Sequence, residues 1–372
     1  MNPIEELRAA RPAHLGDAPV DERTRQSELA YAMAQGAPAR RRRNLRPVWG
    51  LSLAGAAAAV TAVAVFTAGT GGGTAPRAPA RVAQPASPAI KLSAQEVLLV
   101  AAANAERAPA TSGTYWHTET LGRNLFRAPG GYVMVTEQRD EMWVSKNGQW
   151  SRSQYLGAKP ATDEDRARWA AAGSPAEIEL TVPGKGVGQL VPIAAKKPHT
   201  GHHAGKEVFW LGRNVTLADL AALPDDEVGL KGWLLKYYEG KSTESDAPMA
   251  EDAWLFQVTA GLITDMPVSA KVRGAAFRML AALPSVTSVG QVTDSEGRPG
   301  TAIAIEHDSK VNNADATGGV LQDRLIIDES TGQALAREGV VVKPGGLQAG
   351  LEPGTVSHTV TILEAGWTDT RD

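Results

Sequence analysis

A single apolar segment constrains the organisation of this chain more than any other feature of its sequence. Residues 48–69 carry no charged side chain, and at about 1.5 Å per residue a helix of this length crosses a hydrocarbon core of about 30 Å. Five arginines lie just before the segment: Arg40, Arg41, Arg42, Arg43 and Arg46. Because clustered arginines keep their flank in the cytoplasm, we predict a single-pass helix in the plasma membrane, with the amino terminus inside and the carboxy-terminal domain outside.

Other kinds of targeting segment fit less well. A secretory signal peptide has its charged region near the start of the chain, whereas a long stretch precedes these arginines. The string RRRRNL resembles a twin-arginine export signal, but no clean A-x-A cleavage site follows the apolar segment. A lipoprotein anchor is excluded because it requires a cysteine and the chain has none.

The predicted anchor divides the chain into four parts. Residues 1–47 are expected to form a cytoplasmic tail with short helices, and the helix over 48–69 has the lipid bilayer as its partner. Residues 70–91 are rich in Gly, Ala and Pro without hydrophobic periodicity, which predicts an extended linker. The remaining 92–372 has ample apolar material for a core, and we predict that it folds as one extracytoplasmic domain.

Composition excludes several function classes. The absence of cysteine rules out a disulfide framework, a thiol nucleophile and a thiolate metal site. The formal net charge is −3, and the region beyond the apolar segment is mildly acidic, which argues against a nucleic-acid partner.

Local signals in the exported domain predict strands, then helices, then strands. Ser93 and Glu96 form a capping box that begins a helix ending near Arg107. Segments rich in Trp, Tyr, Val and Thr follow, and the middle of the domain contains helices separated by Leu-Pro and Met-Pro breaks. Hairpins around SEGRPG and DESTG and a last strand over 355–363 complete the chain. This order lacks βαβ alternation, so we predict an α+β fold in which an antiparallel sheet carries helices on one face.

Several strings in the chain resemble a known family. They are YWHTET, LADLAALPDDEVGLKGWL, FRMLAALPSVTSV, DSEGRPGTAIAI and RLIIDESTGQALARE, and with the arginine-flanked anchor they resemble actinobacterial single-pass membrane proteins of unknown function, often encoded beside extracytoplasmic-function sigma factors. The resemblance implies a curved, half-barrel-like sheet similar to lipoprotein carriers and to periplasmic regulators that bind anti-sigma factors. It transfers no active site. The tail lacks the zinc-binding His and Cys pattern of one anti-sigma class, which argues against direct binding of a sigma factor.

The pair Asn147-Gly148 is the sharpest hairpin signal in the chain. If these two residues form a type I′ turn, Trp143 lies opposite Arg152, and Trp143 and Trp150 lie diagonally on one face of the sheet. In that register the Arg152 guanidinium is available to stack on an indole.

The tryptophans of the first strand group are the candidate ligand-binding residues. Trp116, Trp143 and Trp150, together with Arg152, either fill the core between sheet and helices or line an apolar cleft for a lipid or peptide. We expect Trp143 to lie in the core, because Arg152 covers one indole face, and Trp150 to lie at a cleft edge.

Other motifs carry little chemistry. His199, His202 and His203 are three imidazoles within five positions, but lysines surround them and no carboxylate lies within the string, so we predict a solvated loop and no metal site. No nucleotide-binding, G-x-S-x-G or H-E-x-x-H motif occurs. We therefore predict no catalytic residue and no cofactor.

The resulting functional hypothesis is a non-enzymatic, membrane-anchored extracytoplasmic binding or sensor domain, linked to sigma-factor envelope signalling. Its partner outside the membrane is a lipid, a peptide or another protein. Two rivals make different structural predictions: a cell-envelope hydrolase requires a convergent polar cluster in a pocket, and a purely structural envelope protein requires no cleft.

Overall fold

A computed structural model describes residues 92–109, 111–181, 188–205, 207–310, 312 and 315–371. The predicted tail (1–47), anchor (48–69) and linker (70–91) lie outside these ranges. Within the described ranges, no helix is both long enough and apolar enough to cross a membrane.

The described part of the chain is built on a nine-stranded sheet in which every neighbouring pair is antiparallel. Its strand order is β6-β3-β2-β1-β13-β12-β11-β10-β9. These strands are β1 (Tyr115–Arg127), β2 (Val133–Ser145), β3 (Gly148–Pro160), β6 (His199–His203), β9 (Thr287–Thr293), β10 (Pro299–Asp308), β11 (Val320–Asp328), β12 (Gln333–Lys343) and β13 (Val356–Thr368). Two small hairpins stand apart from it: β4 (Glu177–Thr181) with β5 (Gly188–Pro192), and β7 (Glu207–Trp210) with β8 (Arg213–Thr216).

Six α-helices accompany the sheet in the described ranges: α1 (Ala94–Arg107), α2 (Asp163–Ala171), α3 (Leu217–Ala221), α4 (Glu227–Leu235), α5 (Glu251–Asp265) and α6 (Ala270–Ala281). The predicted α+β class is confirmed. The capping box that begins α1 is present, because the Ser93 amide donates to the Glu96 carboxylate (2.8 Å) and the Glu96 amide donates to Ser93 Oγ (3.2 Å). Pro267 separates α5 from α6, as the Met-Pro break predicts.

The main core lies between helices α1, α4, α5 and α6 and one face of the sheet. We call this the inner face; it includes Trp116, Val144, Ile303 and Leu325, which are buried against the helices. Side chains alternate along a strand, so each inner-face residue has neighbours on the opposite, outer face. Together with the cross-strand register, this alternation assigns the sheet side chains discussed below to one face or the other.

The predicted register of the β2-β3 hairpin is wrong. Trp143 pairs directly with Trp150, and Arg152 lies opposite Glu141 instead of Trp143. The turn residues are Lys146 and Asn147, and neither has the positive φ that a type I′ turn requires. Gly148 instead belongs to β3, with φ 149°, where a Cβ atom would lie 2.8 Å from the His203 carbonyl oxygen of strand β6. The glycine therefore accommodates a neighbouring strand rather than the turn.

The predicted loop over the three histidines is also wrong, because His199–His203 forms strand β6 at the edge of the sheet. The backbone N–H and C=O groups of this segment pair with β3. The polar composition of the segment alone gave no indication of that pairing. His202 lies opposite Trp150 on the outer face, whereas alternation places His199 and His203 on the other face. The three imidazoles consequently do not converge.

Candidate ligand-binding groove

A cavity of about 740 Å³ lies between the inner face of the sheet and helix α5. Residues 242–249 and the segment that follows β10 lie along its border. A space of this size accommodates a drug-sized organic molecule or a short peptide. We refer to it as the groove.

The floor of the groove is formed by the central strands of the sheet and is largely polar. Thr120 and Asn124 of β1 and Gln138 and Asp140 of β2 line it. Between them lies Gly122, where the nearest heavy atom to an added Cβ would be the Gln138 carbonyl oxygen at 3.6 Å. The backbone φ of Gly122 is not positive, so a larger side chain would fit the strand and project into open space.

Helix α5 and the β7-β8 region supply an apolar wall opposite this floor. Phe209, Phe256 and Met266 line the groove, and Phe256 is almost completely buried. The indole nitrogen of Trp210 donates to the Val258 carbonyl oxygen of α5 (2.9 Å), which fixes the β7-β8 hairpin against the helix. The groove is therefore polar on the sheet side and apolar on the helix side.

A buried histidine and aspartate form an ion pair at one end of the groove. His307 Nε2 of β10 lies 3.1 Å from Asp323 Oδ2 of β11, and the amide of Gln257 from α5 donates to the same carboxylate oxygen (2.8 Å). The second ring nitrogen, Nδ1, lies 2.8 Å from the Asp308 carbonyl oxygen. Although burial opposes a charged imidazole, the Asp323 carboxylate and these hydrogen bonds raise the pKa of His307 to about 9. His307 also holds the pKa of Asp323 at about 2 against the effect of burial.

A second histidine lines the groove beside this pair and carries no charge at neutral pH. Burial, His307 and Arg337 lower the pKa of His358 and outweigh the opposing influence of Asp323. Its ring occupies the space that a side chain at Gly339 would need, so the glycine allows His358 to lie flat on β12.

Helix α5 ends in a carboxylate that contacts the sheet across the groove. Asp265 Oδ2 lies 3.1 Å from Arg337 Nη2 of β12. Asp265 Oδ1 and Arg337 Nε are both buried without a hydrogen-bond partner. Burial raises the pKa of Asp265 and outweighs the favourable charge of Arg337.

Asp140 differs from Asp265 and Asp323 in having neutral partners. Gln138 Nε2 lies 3.0 Å from each carboxylate oxygen, and the Ser153 hydroxyl donates to Oδ1. Among the described residues, no lysine, arginine or histidine forms an ion pair with it. Burial raises the pKa of Asp140 despite these two hydrogen bonds.

Three of the four residues proposed from sequence do not line the groove. Trp143, Trp150 and Arg152 belong to the outer face, where Trp143 is 6 % exposed and stacks on His117 with ring centroids 4.7 Å apart. Trp150 stacks on His202 (4.9 Å) and lies beneath the Arg371 guanidinium, 4.0 Å from the ring centroid. These contacts account for both indoles without a ligand.

Trp116 is the only one of the four on the inner face. It is 5 % exposed, and its indole nitrogen donates to the Asp265 backbone carbonyl (2.9 Å). It lines a smaller cavity of about 50 Å³ that shares Phe209, Asp265 and Met266 with the groove. Trp116 therefore packs behind the wall of the groove and does not line it.

Sequence inspection missed His307, Asp323, Arg337 and His358, which belong to four different strands. No local motif joins them, and only antiparallel pairing brings them onto one face. In the described ranges, no group of three or more His, Asp or Glu side chains is arranged to hold a metal ion.

Comparison of the chain with models of protein families, with curated proteins and with solved structures finds no match.

Proposed function

We propose that this protein is a single-pass membrane protein whose extracytoplasmic domain binds a ligand in the groove and acts as a sensor. The anchor over 48–69 carries this domain on the outer side of the plasma membrane, and the sheet curves around its ligand as in a half-barrel. The observation that supports the proposal is the 740 Å³ groove with a polar floor and an apolar wall. A link to sigma-factor signalling rests on the family resemblance of the sequence.

The composition of the groove supports binding more than a purely structural role. A protein that only spaces or stiffens the envelope has no need of a cleft, and filling this one with apolar side chains would add stability. The inner face instead carries several ionisable groups, including Asp140, Asp323 and Arg337, at the cost of desolvation. Polar groups kept at such a cost are a common property of binding sites.

A cell-envelope hydrolase is the second candidate, because polar side chains converge in the groove. The neutral imidazole of His358 is the group best suited to act as a general base there. His307 is unsuited to that role, since the nearby Asp323 carboxylate raises its pKa to about 9 and keeps it protonated at neutral pH. If the groove is catalytic, the wild type should hydrolyse an envelope substrate and His358→Gln should not. If the groove only binds, neither protein should show hydrolytic activity.

The groove itself is tested by filling it. Gly122→Leu places an apolar side chain over the floor, whereas Gly366→Leu adds the same side chain to the outer face, where nothing lies within 4 Å of the new Cβ. Both glycines lie in strands without positive φ, so the two variants are matched in backbone cost.

The measurement is native mass spectrometry of the full chain, purified in parallel from the same membranes. We expect a bound molecule on the wild type and on Gly366→Leu, and its loss from Gly122→Leu. Equal occupancy of all three proteins, or no bound molecule on the wild type, would contradict the proposal.

A further inference from the structure

Asp140 is a partly buried aspartate on the floor of the groove that forms no ion pair with a described cationic side chain. Arg337 lies 3.1 Å from the carboxylate of Asp265, and His307 lies 3.1 Å from that of Asp323. The partners of Asp140 are the amide of Gln138 and the hydroxyl of Ser153, which supply hydrogen bonds but no positive charge.

This arrangement costs free energy in the empty protein. A partly buried carboxylate without a cationic partner keeps only part of its solvation, and two neutral donors replace that loss incompletely. Asparagine at this position would keep an acceptor for Ser153 and avoid the charge. The negative charge of Asp140 is therefore available to a positive group that none of the described residues supplies.

Apolar surface lies in the same groove. Phe209 and Met266 line both the groove and the smaller cavity beside it, and Met142, the next inner-face residue of β2 after Asp140, lines that cavity too. A ligand whose positive group meets Asp140 can thus bury an aliphatic body against this wall. Binding of a long acyl chain, in contrast, is unfavourable, because it would remove water from several polar groups of the floor without replacing their hydrogen bonds.

We propose that the groove binds an organic cation, in which an ammonium or guanidinium group pairs with Asp140 and an aliphatic body packs against Phe209 and Met266. This inference rests on the proposed binding function of the groove. The positive group belongs either to a basic side chain of a peptide or to a free aliphatic amine, and these two sources share the same contact with the carboxylate.

Isothermal titration calorimetry on the full chain in lipid nanodiscs tests the inference, with empty nanodiscs as the blank. The probes are the peptide Leu-Lys-Leu with an acetylated amino terminus and an amidated carboxy terminus, the same blocked peptide with an acetylated lysine, hexylammonium and hexan-1-ol. Each pair differs in one positive charge at nearly constant apolar surface. The wild type is expected to bind the charged member of at least one pair at least tenfold more tightly; the pair that does so identifies the source.

Asp140→Asn is the decisive variant because it is nearly isosteric and keeps a carbonyl oxygen for Ser153. It should reduce the affinity for the charged probe to that for its neutral partner, while its melting temperature stays at or above that of the wild type. Asp163→Asn removes a carboxylate from an exposed position on α2 and should leave both affinities unchanged.

The outcomes separate this inference from the binding function itself. Equal binding of charged and neutral probes that is lost in Gly122→Leu overturns the cation inference and leaves the groove as a binding site. Binding that neither Asp140→Asn nor Gly122→Leu weakens overturns both. Failure of every charged probe to bind the wild type also overturns the cation inference.

Discussion

Asp265, the last residue of α5, lies 3.1 Å from Arg337 in the middle of β12 and thereby joins the helix to the sheet across the groove. The side chains of Asp265 and Arg337 are only 14 % and 26 % exposed. Removal of Arg337 would leave the Asp265 carboxylate largely buried without its cationic partner. Arg337→Met should therefore lower the free energy of unfolding by about 3 kcal/mol, measured by urea denaturation.

Arg166 provides the control for that prediction. It pairs with Asp163 on the surface of α2, where both side chains are well exposed, so Arg166→Met should cost less than about 1 kcal/mol. A loss for Arg337→Met no larger than that for Arg166→Met would show that the pair across the groove contributes little to the fold.

The ion pair of His307 and Asp323 predicts a dependence of stability on alkaline pH. Folding raises the pKa of His307 from 6.5 to about 9, so its contribution is fully present below pH 6.5 and is lost as the pH rises through 9. His307→Gln should flatten the stability profile between these limits, followed by denaturant unfolding at a series of pH values. An unchanged slope in the variant would mean that other groups cause the dependence.

Replacement of Asp140 is expected to raise the stability of the fold while it weakens binding of a cationic ligand. The folded pKa of Asp140 is raised above 3.8, so the charged form is disfavoured by folding and the stability contribution falls as the pH rises above that value. Asp140→Asn should consequently gain about 0.5 to 1 kcal/mol at pH 7, and the part of the acidic pH dependence of stability that comes from Asp140 should disappear. A loss of stability in thermal melts at pH 7 would show that the carboxylate supports the fold.

The two tryptophans of the β2-β3 hairpin should respond differently to truncation. Trp143 is nearly inaccessible between His117 and neighbouring side chains, and its replacement by alanine should cost about 3 to 5 kcal/mol. Trp150 is partly exposed, so Trp150→Ala should cost clearly less. Acrylamide quenching of the two single variants supplies a second test, because equal protection of both indoles would defeat the distinction.

The absence of native cysteine makes the proposed topology directly measurable. A cysteine introduced at Lys146, an exposed turn residue, should react in intact cells with a maleimide that does not cross membranes. A cysteine at Leu45 should react only after the cells are permeabilised. Labelling of both positions in intact cells would contradict a cytoplasmic amino terminus.

The helices were predictable because their signals are local. The Ser93 and Glu96 capping box lies within four residues, and Pro267 cannot continue a helix whatever surrounds it. Most strands of the sheet followed from composition and turn residues. The exceptions are the register of the β2-β3 hairpin, the last strand, which was predicted over 355–363 and extends to Thr368, and β6, whose pairing with β3 depends on contacts distant in sequence.

The groove was not predictable because its residues meet only through long-range pairing. The string TAIAIEHD indicates a strand, but nothing in it shows that His307 will face Asp323 of the next strand and not solvent. Gly148 gave a misleading signal for a related reason. A glycine after asparagine suggests a type I′ turn, whereas its role is to let β6 approach β3.

Ligand binding in the groove is tested most directly by nuclear magnetic resonance of the full chain in nanodiscs, with isotope-labelled methionine methyl groups, during titration with the blocked Leu-Lys-Leu peptide. Met249 and Met266 line the groove, whereas Met134 and Met279 are buried elsewhere and serve as internal controls. We predict saturable shifts of Met249 and Met266 that disappear in Gly122→Leu, with Met134 and Met279 unchanged. Shifts confined to the control methyl groups would contradict a ligand site between the sheet and α5, and no shift at all would contradict binding of this peptide in the groove.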